Sequence, residues 1–545
     1  MATPSLFFEK PKSFEIKKFV KFFIMHWSDE IAEKIIKKFP DKEKYVCAAG
    51  ITPSGIIHIG NLRDVLTSEF VVRSLKKLGK NAELIWSWDD YDRFRKVPKD
   101  VPTDFEKYLG LPLTKIPDPW GKEENYARAR EVGMERALPA IGIDARIIYQ
   151  SKMYSRNSYS KFIKIAMQKR KRIAEILFSF KAQEAKPEEI ENFYPLNVYC
   201  EACGKDTAKI VSYDEENTIG YECACGHKAK ADFSQKNVGK PGWRVDWPMR
   251  WAYEDVVFEP GGRDHSSAGG SADVSPIIAK EIFGIEPPIY QAYEWLGITG
   301  TTSKMSGSTG EGFTPEMLLE IYEPEIIRWF FARVEPLQRF DFALNDQIIK
   351  NYSEWDTFLN KIKEGPVSEI EKQILELSKT RLEDNPEPGS VSFRQLAAFV
   401  QIAKGNVKEL KKMIESAGGK ISQKDLQDRL PRAIAWTERY APDNYRINLR
   451  TKPNVGYWGK LGDDEKAMVK KLVNGLDENW DQDKLTNLIY SVAKKEGISE
   501  AELKTRQRDF FKIIYQLLVD SDAGPRLSTF FMAIGKDKVE ELLDF

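Results

Sequence analysis

Apolar residues near the start of the chain follow two rhythms. Tyr45-Val46-Cys47-Ala48-Ala49 is a short continuous apolar run ending at Gly50, which predicts a buried strand with Cys47 in the core. A turn, Thr52-Pro53-Ser54-Gly55, follows. From Asn61 to Leu78 the apolar positions Leu62, Leu66, Phe70, Val71, Leu75 and Leu78 recur at helical spacing, and Gly79 closes the helix. Leu84-Ile85-Trp86 predicts the next strand, ending at Asp89-Asp90. Strand, helix, strand is the unit from which parallel sheets are built. The pattern returns at Val256-Val257-Phe258, followed by the loop Gly261-Gly262-Arg263-Asp264-His265, a helix from near Asp273 and a strand over Ile289 to Trp295. Thr314 suits an N-cap and Pro315 a first helical position. Beyond them the pattern is helical to the end, with few strand signals after Phe342 and a breaker at Asn385-Pro386-Glu387-Pro388-Gly389.

The predicted fold class is therefore α/β, a doubly wound, Rossmann-like parallel sheet with an insertion and an all-α C-terminal region. At 545 residues the chain exceeds one core. Lys+Arg and Asp+Glu both number 83, so bulk charge announces no nucleic-acid partner, and one would have to meet a local basic surface. Lys161 to Lys181 is one such stretch, although a solvated helix face is the commoner reason for such a run. No stretch is apolar enough to span a bilayer, and Phe14 to Met25 mixes Phe and Ile with Lys without a signal-peptide core. The expectation is a cytoplasmic protein with no membrane partner.

Two loops carry candidate nucleotide chemistry. Pro53-Ser54-Gly55-Ile56-Ile57-His58-Ile59-Gly60-Asn61 follows a strand and opens a helix, where free N–H groups and the positive dipole end favour phosphate. Gly60 permits close approach of a ligand to the backbone, and His58 can donate to a phosphate oxygen. Lys304-Met305-Ser306-Gly307-Ser308 lies in a Gly/Ser/Thr-rich stretch whose mobile cation and hydroxyls can stabilise departing pyrophosphate. Alone, each reads as a structural turn or a solvated loop. Together, about 245 residues apart, they suit two sides of one ATP site across a doubly wound sheet.

The pair resembles the HIGH and KMSKS signatures of class I aminoacyl-tRNA synthetases. Asn61 stands in place of the last His and Gly307 in place of the second Lys, while His58, Gly60 and Lys304 are retained, so Lys304 is expected to carry more of the burden. Met25-His26-Trp27, Gly50-Ile51-Thr52-Pro53-Ser54-Gly55, Asp89-Asp90-Tyr91-Asp92-Arg93-Phe94-Arg95-Lys96, Trp243 to Trp251 and the KMSGS form narrow the resemblance to the archaeal-type class I lysyl-tRNA synthetases, from about Met25 to the C-terminus. It implies catalytic roles for His58, Gly60 and Lys304, and ATP binding by Pro53, Ser54, Gly55, His58, Gly60, Asn61, Lys304, Met305, Ser306 and Ser308. It implies a lysine pocket of Gly50, Thr52, Trp243, His265 and Tyr293. Aromatic side chains suit the methylenes of a lysine, and a strand-end carboxylate, Asp90 or Glu294, is a candidate partner for one of its ammonium groups. ATP, Mg²⁺, L-lysine and tRNA(Lys) are the implied ligands. The reaction expected runs through a lysyl-adenylate to lysyl-tRNA, AMP and diphosphate.

Cys200-x-x-Cys203 and Cys223-x-Cys225, about 20 residues apart, have the spacing of a closed four-thiolate zinc knuckle with a structural role. A second metal site earlier in the insertion is not expected, because residues 118–128 contain no histidine. The expected organisation is an N-terminal extension (1–24), a catalytic first half (25–105), a zinc-bearing acceptor-binding insertion (106–240), a catalytic second half (241–310), a stem-contact connector (311–346) and a helical anticodon-binding region (347–545). A monomer is expected. The competing readings are a class I synthetase for glutamate or arginine, a small-molecule nucleotidyltransferase, and a non-catalytic tRNA-binding relative. A glutamate site would need a basic residue in the pocket.

Overall fold

The computed structural model describes residues 25–181, 185–298, 313–342, 344–476 and 481–545. Helix α1 (Trp27–Lys38) precedes strand β1 (Tyr45–Ile51), which is buried almost throughout and holds Cys47 fully enclosed. Helix α2 (Leu62–Lys77) follows, then β2 (Ala82–Trp88). The helical spacing read from the sequence is realised, since Leu62, Leu66, Phe70, Val71 and Leu75 are all buried. Leu78 is the exception: it is the C-cap and 42% exposed, where the chain turns through Gly79 at a positive φ of 75°.

Helix α3 (Tyr126–Ala140) leads into β3 (Arg146–Tyr149). This strand falls inside the segment expected as the 106–240 insertion, yet it extends the catalytic sheet by pairing in parallel with β2. Next come α4 (Ser160–Gln168) and α5 (Arg170–Ser179), over the basic stretch. Strands β4 (Leu196–Val198), β5 (Ala208–Tyr213), β6 (Thr218–Cys223), β7 (Lys228–Asp232) and β8 (Gly239–Pro241) then form a separate antiparallel sheet in the order β7-β6-β5-β4-β8. Helix α6 (Trp243–Glu254), β9 (Val256–Gly262), α7 (Ser271–Glu281) and β10 (Ile289–Tyr293) complete the parallel-sheet layer.

The parallel sheet has the order β10-β9-β1-β2-β3. Successive strands run outward from β1 in one direction and then, from β9, in the other, which is the doubly wound arrangement predicted. Helix α2 packs on β1, β2 and β9 and buries nearly every side chain between Leu62 and Leu75.

The described residues divide into two compact units. The first contains everything up to Leu318, with Ile327–Phe342 and Val367–Asp384. The last segment had been expected in the helical region. Buried Arg328 ties it down, donating to the Leu377 carbonyl (2.8 Å) and pairing with Glu69 on α2 (2.7 Å). Thr314 caps the helix Pro315–Ile321 by accepting from Met317 N–H (3.3 Å), as its sequence predicted.

The second unit, Leu319–Ile326, Ala343–Pro366 and Asn385–Phe545, contains no strand among its described residues. A core of Val469, Leu472, Phe510, Ile514, Leu518, Phe530 and Phe531 holds its C-terminal helices. Buried Arg429 bridges Glu323 (2.8 Å) and Asp356 (2.6 Å). No described helix is long and apolar enough to cross a membrane.

Candidate active site

Between β1 and β9 the direction of winding reverses, and in open parallel sheets such a reversal leaves a crevice beyond the strands' carboxyl ends. A cavity of about 770 Å³ opens there. Gly50 and Thr52 line it from the end of β1, Asp89 and Asp92 from beyond β2, Gly262 and His265 from the end of β9, and Tyr293 from β10. Ser54, Gly55, His58 and Asn61 form one side, and Trp243, at the start of α6, another. Every candidate lysine-pocket residue except the carboxylates Asp90 and Glu294 is therefore in one cavity. Of the first nucleotide loop, Pro53 and Gly60 do not line it. Lys304, Met305, Ser306 and Ser308 lie outside the described residues.

The loop explains its own unusual residues. His58 is the N-cap of a short helical turn, and its backbone N–H donates to Asn61 Oδ1 (2.9 Å). The Gly60 N–H donates to His58 Nδ1 (3.1 Å). With Nδ1 an acceptor, neutral His58 carries its proton on Nε2. A Cβ on residue 60 would stand 2.8 Å from the His58 ring. The His58 ring itself makes a close approach that requires glycine here. Asn61, which departs from the HIGH pattern, has a structural role as a cap.

The wall formed by Trp243 and His265 is aromatic. Trp243 stacks on Trp247 (centroids 5.2 Å, 17°), and His265 lies 6.2 Å from Trp243. The buried indole N–H of Trp243 has no acceptor among the described residues.

Asp64, on α2, reaches into this wall and was not among the residues singled out from sequence. Its Oδ2 accepts from Gly50 N–H (3.0 Å), and the Tyr293 hydroxyl donates to it. Burial pushes its carboxyl up to about 8, with the nearby Glu259 carboxylate adding to the rise. No cation pairs with Asp64 among the described residues. Glu259 lies behind it, held by the Trp251 indole (2.6 Å) and pushed up to about 7 by burial.

A second set of charges sits at the end of β2. Asp92 accepts from Thr52 Oγ1 (3.0 Å) and from the Lys240 ammonium (2.5 Å), which also pairs with Asp246 (3.2 Å). Arg250 binds Asp89 and Asp246, and the Tyr154 hydroxyl donates to Asp246. Burial works against charge on Asp92, but Lys240 and Arg250 hold its carboxyl below the usual carboxylate range. Three carboxyl groups face two cations here, and burial pushes the Asp89 carboxyl up although Arg250 opposes the rise.

Asp90 is placed otherwise. Its carboxylate accepts from Ser151 N–H (2.7 Å) and from the Ser151 hydroxyl, and it does not line the cavity. At the end of an extended strand, neighbouring residues point to opposite sides, and Asp89 rather than Asp90 takes the cavity side. Glu294 pairs with Arg263 (2.6 Å) and is likewise absent from the wall.

Cys200, Cys203, Cys223 and Cys225 converge with all four Sγ atoms within 4.8 Å of one another. Cys200–Cys225 and Cys203–Cys223 stand at 3.8 and 3.7 Å. Four thiolates at about 2.3 Å from a tetrahedral zinc ion would be about 3.8 Å apart, so the donor set fits that ion. His227 is not one of this group.

A doubly wound parallel sheet with a HIGH-type loop capping the strand end at its crevice defines the catalytic core of a class I aminoacyl-tRNA synthetase. Residues 25–381 match the family described as tRNA synthetases class I (K), and the chain belongs to that family. It is 36% identical over 95% of its length to a protein named lysine–tRNA ligase from Borrelia garinii subsp. bavariensis, of which 98% is covered. It is 34% identical to a namesake from Treponema pallidum and 35% identical to one from Pyrococcus horikoshii, each over 95% of this chain and 98% of the relative.

Proposed function

We propose that this chain is a lysine–tRNA ligase, joining L-lysine to tRNA(Lys) with ATP by way of a lysyl-adenylate. The observation that carries the reading is Asp64: a buried carboxylate with no cation partner among the described residues, set in an aromatic cavity at the sheet's switch point. Burying an anion unpaired is costly, so such a group marks the place of a cationic ligand. At Asp64 a glutamate side chain would find no positive partner among the described residues.

In this reading the ε-ammonium of lysine binds Asp64 beside the Tyr293 hydroxyl, and Trp243 and His265 flank the methylenes. Gly50, which donates to Asp64, is inside β1, whereas Thr52, which donates to Asp92, is beyond its end. The substrate's α-ammonium therefore belongs at the outer carboxylates, near Thr52 and Asp92, with its carboxylate turned toward the nucleotide loop. ATP lies along Pro53, Ser54, Gly55, His58, Gly60 and Asn61, with Mg²⁺ on the phosphates. His58 Nε2–H donates to phosphate as the lysine carboxylate attacks, and Lys304, Met305, Ser306 and Ser308 close from the other side. The terminal ribose hydroxyl of tRNA then attacks the acyl carbon. Zinc on the four cysteines is structural, the helical unit reads the anticodon, and the enzyme acts as a cytoplasmic monomer.

The test is aminoacylation of total tRNA with radiolabelled lysine, glutamate and arginine in parallel. Lysine alone is expected to be incorporated, and incorporation of either competitor instead would refute the assignment. Gly60→Ala, which drives a methyl into the His58 ring, is expected to lower kcat by about a hundredfold, the scale of losing one oriented donor, with the KM for tRNA unchanged. A kcat near the parental value in single-turnover assays would remove the role given to His58.

A further inference from the structure

We infer that Lys240 is a positioning residue of the amino-acid site, supplied by the cysteine-bearing sheet and acting through Asp92. The inference rests on the proposed lysine site.

Residues Tyr91–Arg93, just beyond β2, are gripped largely by residues of that sheet and its loops. The Tyr199 hydroxyl donates to the Tyr91 carbonyl (2.9 Å), Asn237 Nδ2 donates to the Tyr91 hydroxyl (2.8 Å), and Arg93 pairs with Asp206 (2.7 Å). Lys240 completes the grip on Asp92. Tyr199 immediately precedes the ligand Cys200, and Asn197 on β4 is the register partner of Lys240 on β8. The sheet that gathers the four thiolates thus forms a wall of the cavity, with Asn197, Tyr199, Asp206 and Lys240 all lining it.

The chemistry of Lys240 suits a positioning role. It is 6% exposed, with its ammonium between Asp92 and Asp246. Arg250 already balances Asp89 and Asp246 from behind. Lys240 is therefore the cation that keeps Asp92 ionised at the cavity face, and Thr52 fixes the second oxygen of the same carboxylate. Removing Lys240 leaves Asp92 buried with the Thr52 hydroxyl and the more distant Arg250 but no directly paired cation among the described residues, and such a group takes up a proton or swings away. The substrate ammonium then loses its acceptor although no residue touching the substrate has changed.

A double-mutant cycle on the full-length, zinc-loaded enzyme tests this in steady-state aminoacylation. Lys240→Met and Asp92→Asn are each expected to raise the KM for lysine by about 10- to 100-fold, the scale of a lost charge-assisted hydrogen bond, with the KM for ATP held within about threefold. The double variant is expected to be no worse than Asp92→Asn alone, because on this inference Lys240 acts on the substrate through Asp92. Multiplied effects in the double variant, or a Lys240→Met KM equal to wild type, would overturn the inference. Should Lys240→Met fail to fold, as zinc content and melting would reveal, Lys240→Gln carries the same cycle with the same outcomes. Failure of the wild-type enzyme to use lysine would instead strike the functional reading beneath.

Discussion

Replacing Asp64 with asparagine is expected to raise the KM for lysine about a hundredfold while narrowing the preference for lysine over norleucine by a similar factor. Norleucine has the same chain without the terminal ammonium, so the comparison isolates the contact. The fold should tolerate the change, because burial already keeps Asp64 largely protonated in the free chain, and asparagine can still accept from Gly50 and Tyr293. The pH dependence gives the prediction its sign. With the free carboxyl pushed up to about 8, binding a cation below that pH must expel a proton. Lysine affinity therefore rises as pH rises toward 8, by up to about tenfold per unit, and levels off above it. Calorimetry in buffers of different ionisation enthalpy should record that released proton in the wild type and a smaller release in Asp64→Asn, with Glu259 accounting for the remainder. Linkage acts oppositely on the empty protein. Between the ordinary carboxylate value of about 4 and the folded value, the unfolded chain is ionised at this position and the folded chain is not, so Asp64 lowers stability as pH rises. Asp64→Asn removes that slope. A variant with unchanged lysine KM and unchanged norleucine discrimination would show that the ammonium binds elsewhere.

The second large effect is expected at the cysteines. Cys200→Ser would break the proposed four-thiolate zinc shell, and in structural zinc sites metal-binding free energy is folding free energy. Zinc content by elemental analysis should fall from about one per chain toward zero, with a loss of several kcal/mol in the stability of the catalytic unit. The geometry adds a specific consequence. Lys240 belongs to this sheet and Tyr199 directly follows its strand β4, so the variant should also weaken lysine binding, while ATP binding, proposed for Ser54, Gly55 and His58 on other elements, should persist. Full zinc retention would refute the knuckle. Zinc loss with an unaltered lysine KM would separate the sheet from the pocket.

Several parts of this site were legible in the residues alone. The place of the HIGH-type loop could be read because strand, turn, His-x-Gly and helix follow one another without interruption, and the cysteine spacing foretold that the four thiols converge. Asp64 was hidden for a physical reason. An acidic residue in the first turn of a helix is ordinarily there to complement the helix dipole, and nothing local distinguishes one turned into a cavity. Asp246 and Arg250 were hidden likewise, since an i,i+4 pair of opposite charges usually marks a solvated helix face. The choice between Asp89 and Asp90 hinged on which way one strand end faces, which the pairing of β1 with β2 and β9 decides. Strand β3 was missed because four residues, Arg146–Tyr149, give too short a run to declare a period. The role of Asn61 became clear only when its side chain was seen to cap His58.

The most direct measurement of the central claim is a crystal structure of the enzyme with L-lysine and a non-hydrolysable ATP analogue. The account predicts the ε-ammonium at hydrogen-bond distance, about 2.8 Å, from an Asp64 carboxylate oxygen, with the α-ammonium on the Thr52 and Asp92 side and His58 Nε2 toward the phosphates. A lysine whose ε-ammonium turns away from Asp64, toward solvent or toward Asp90, would contradict it.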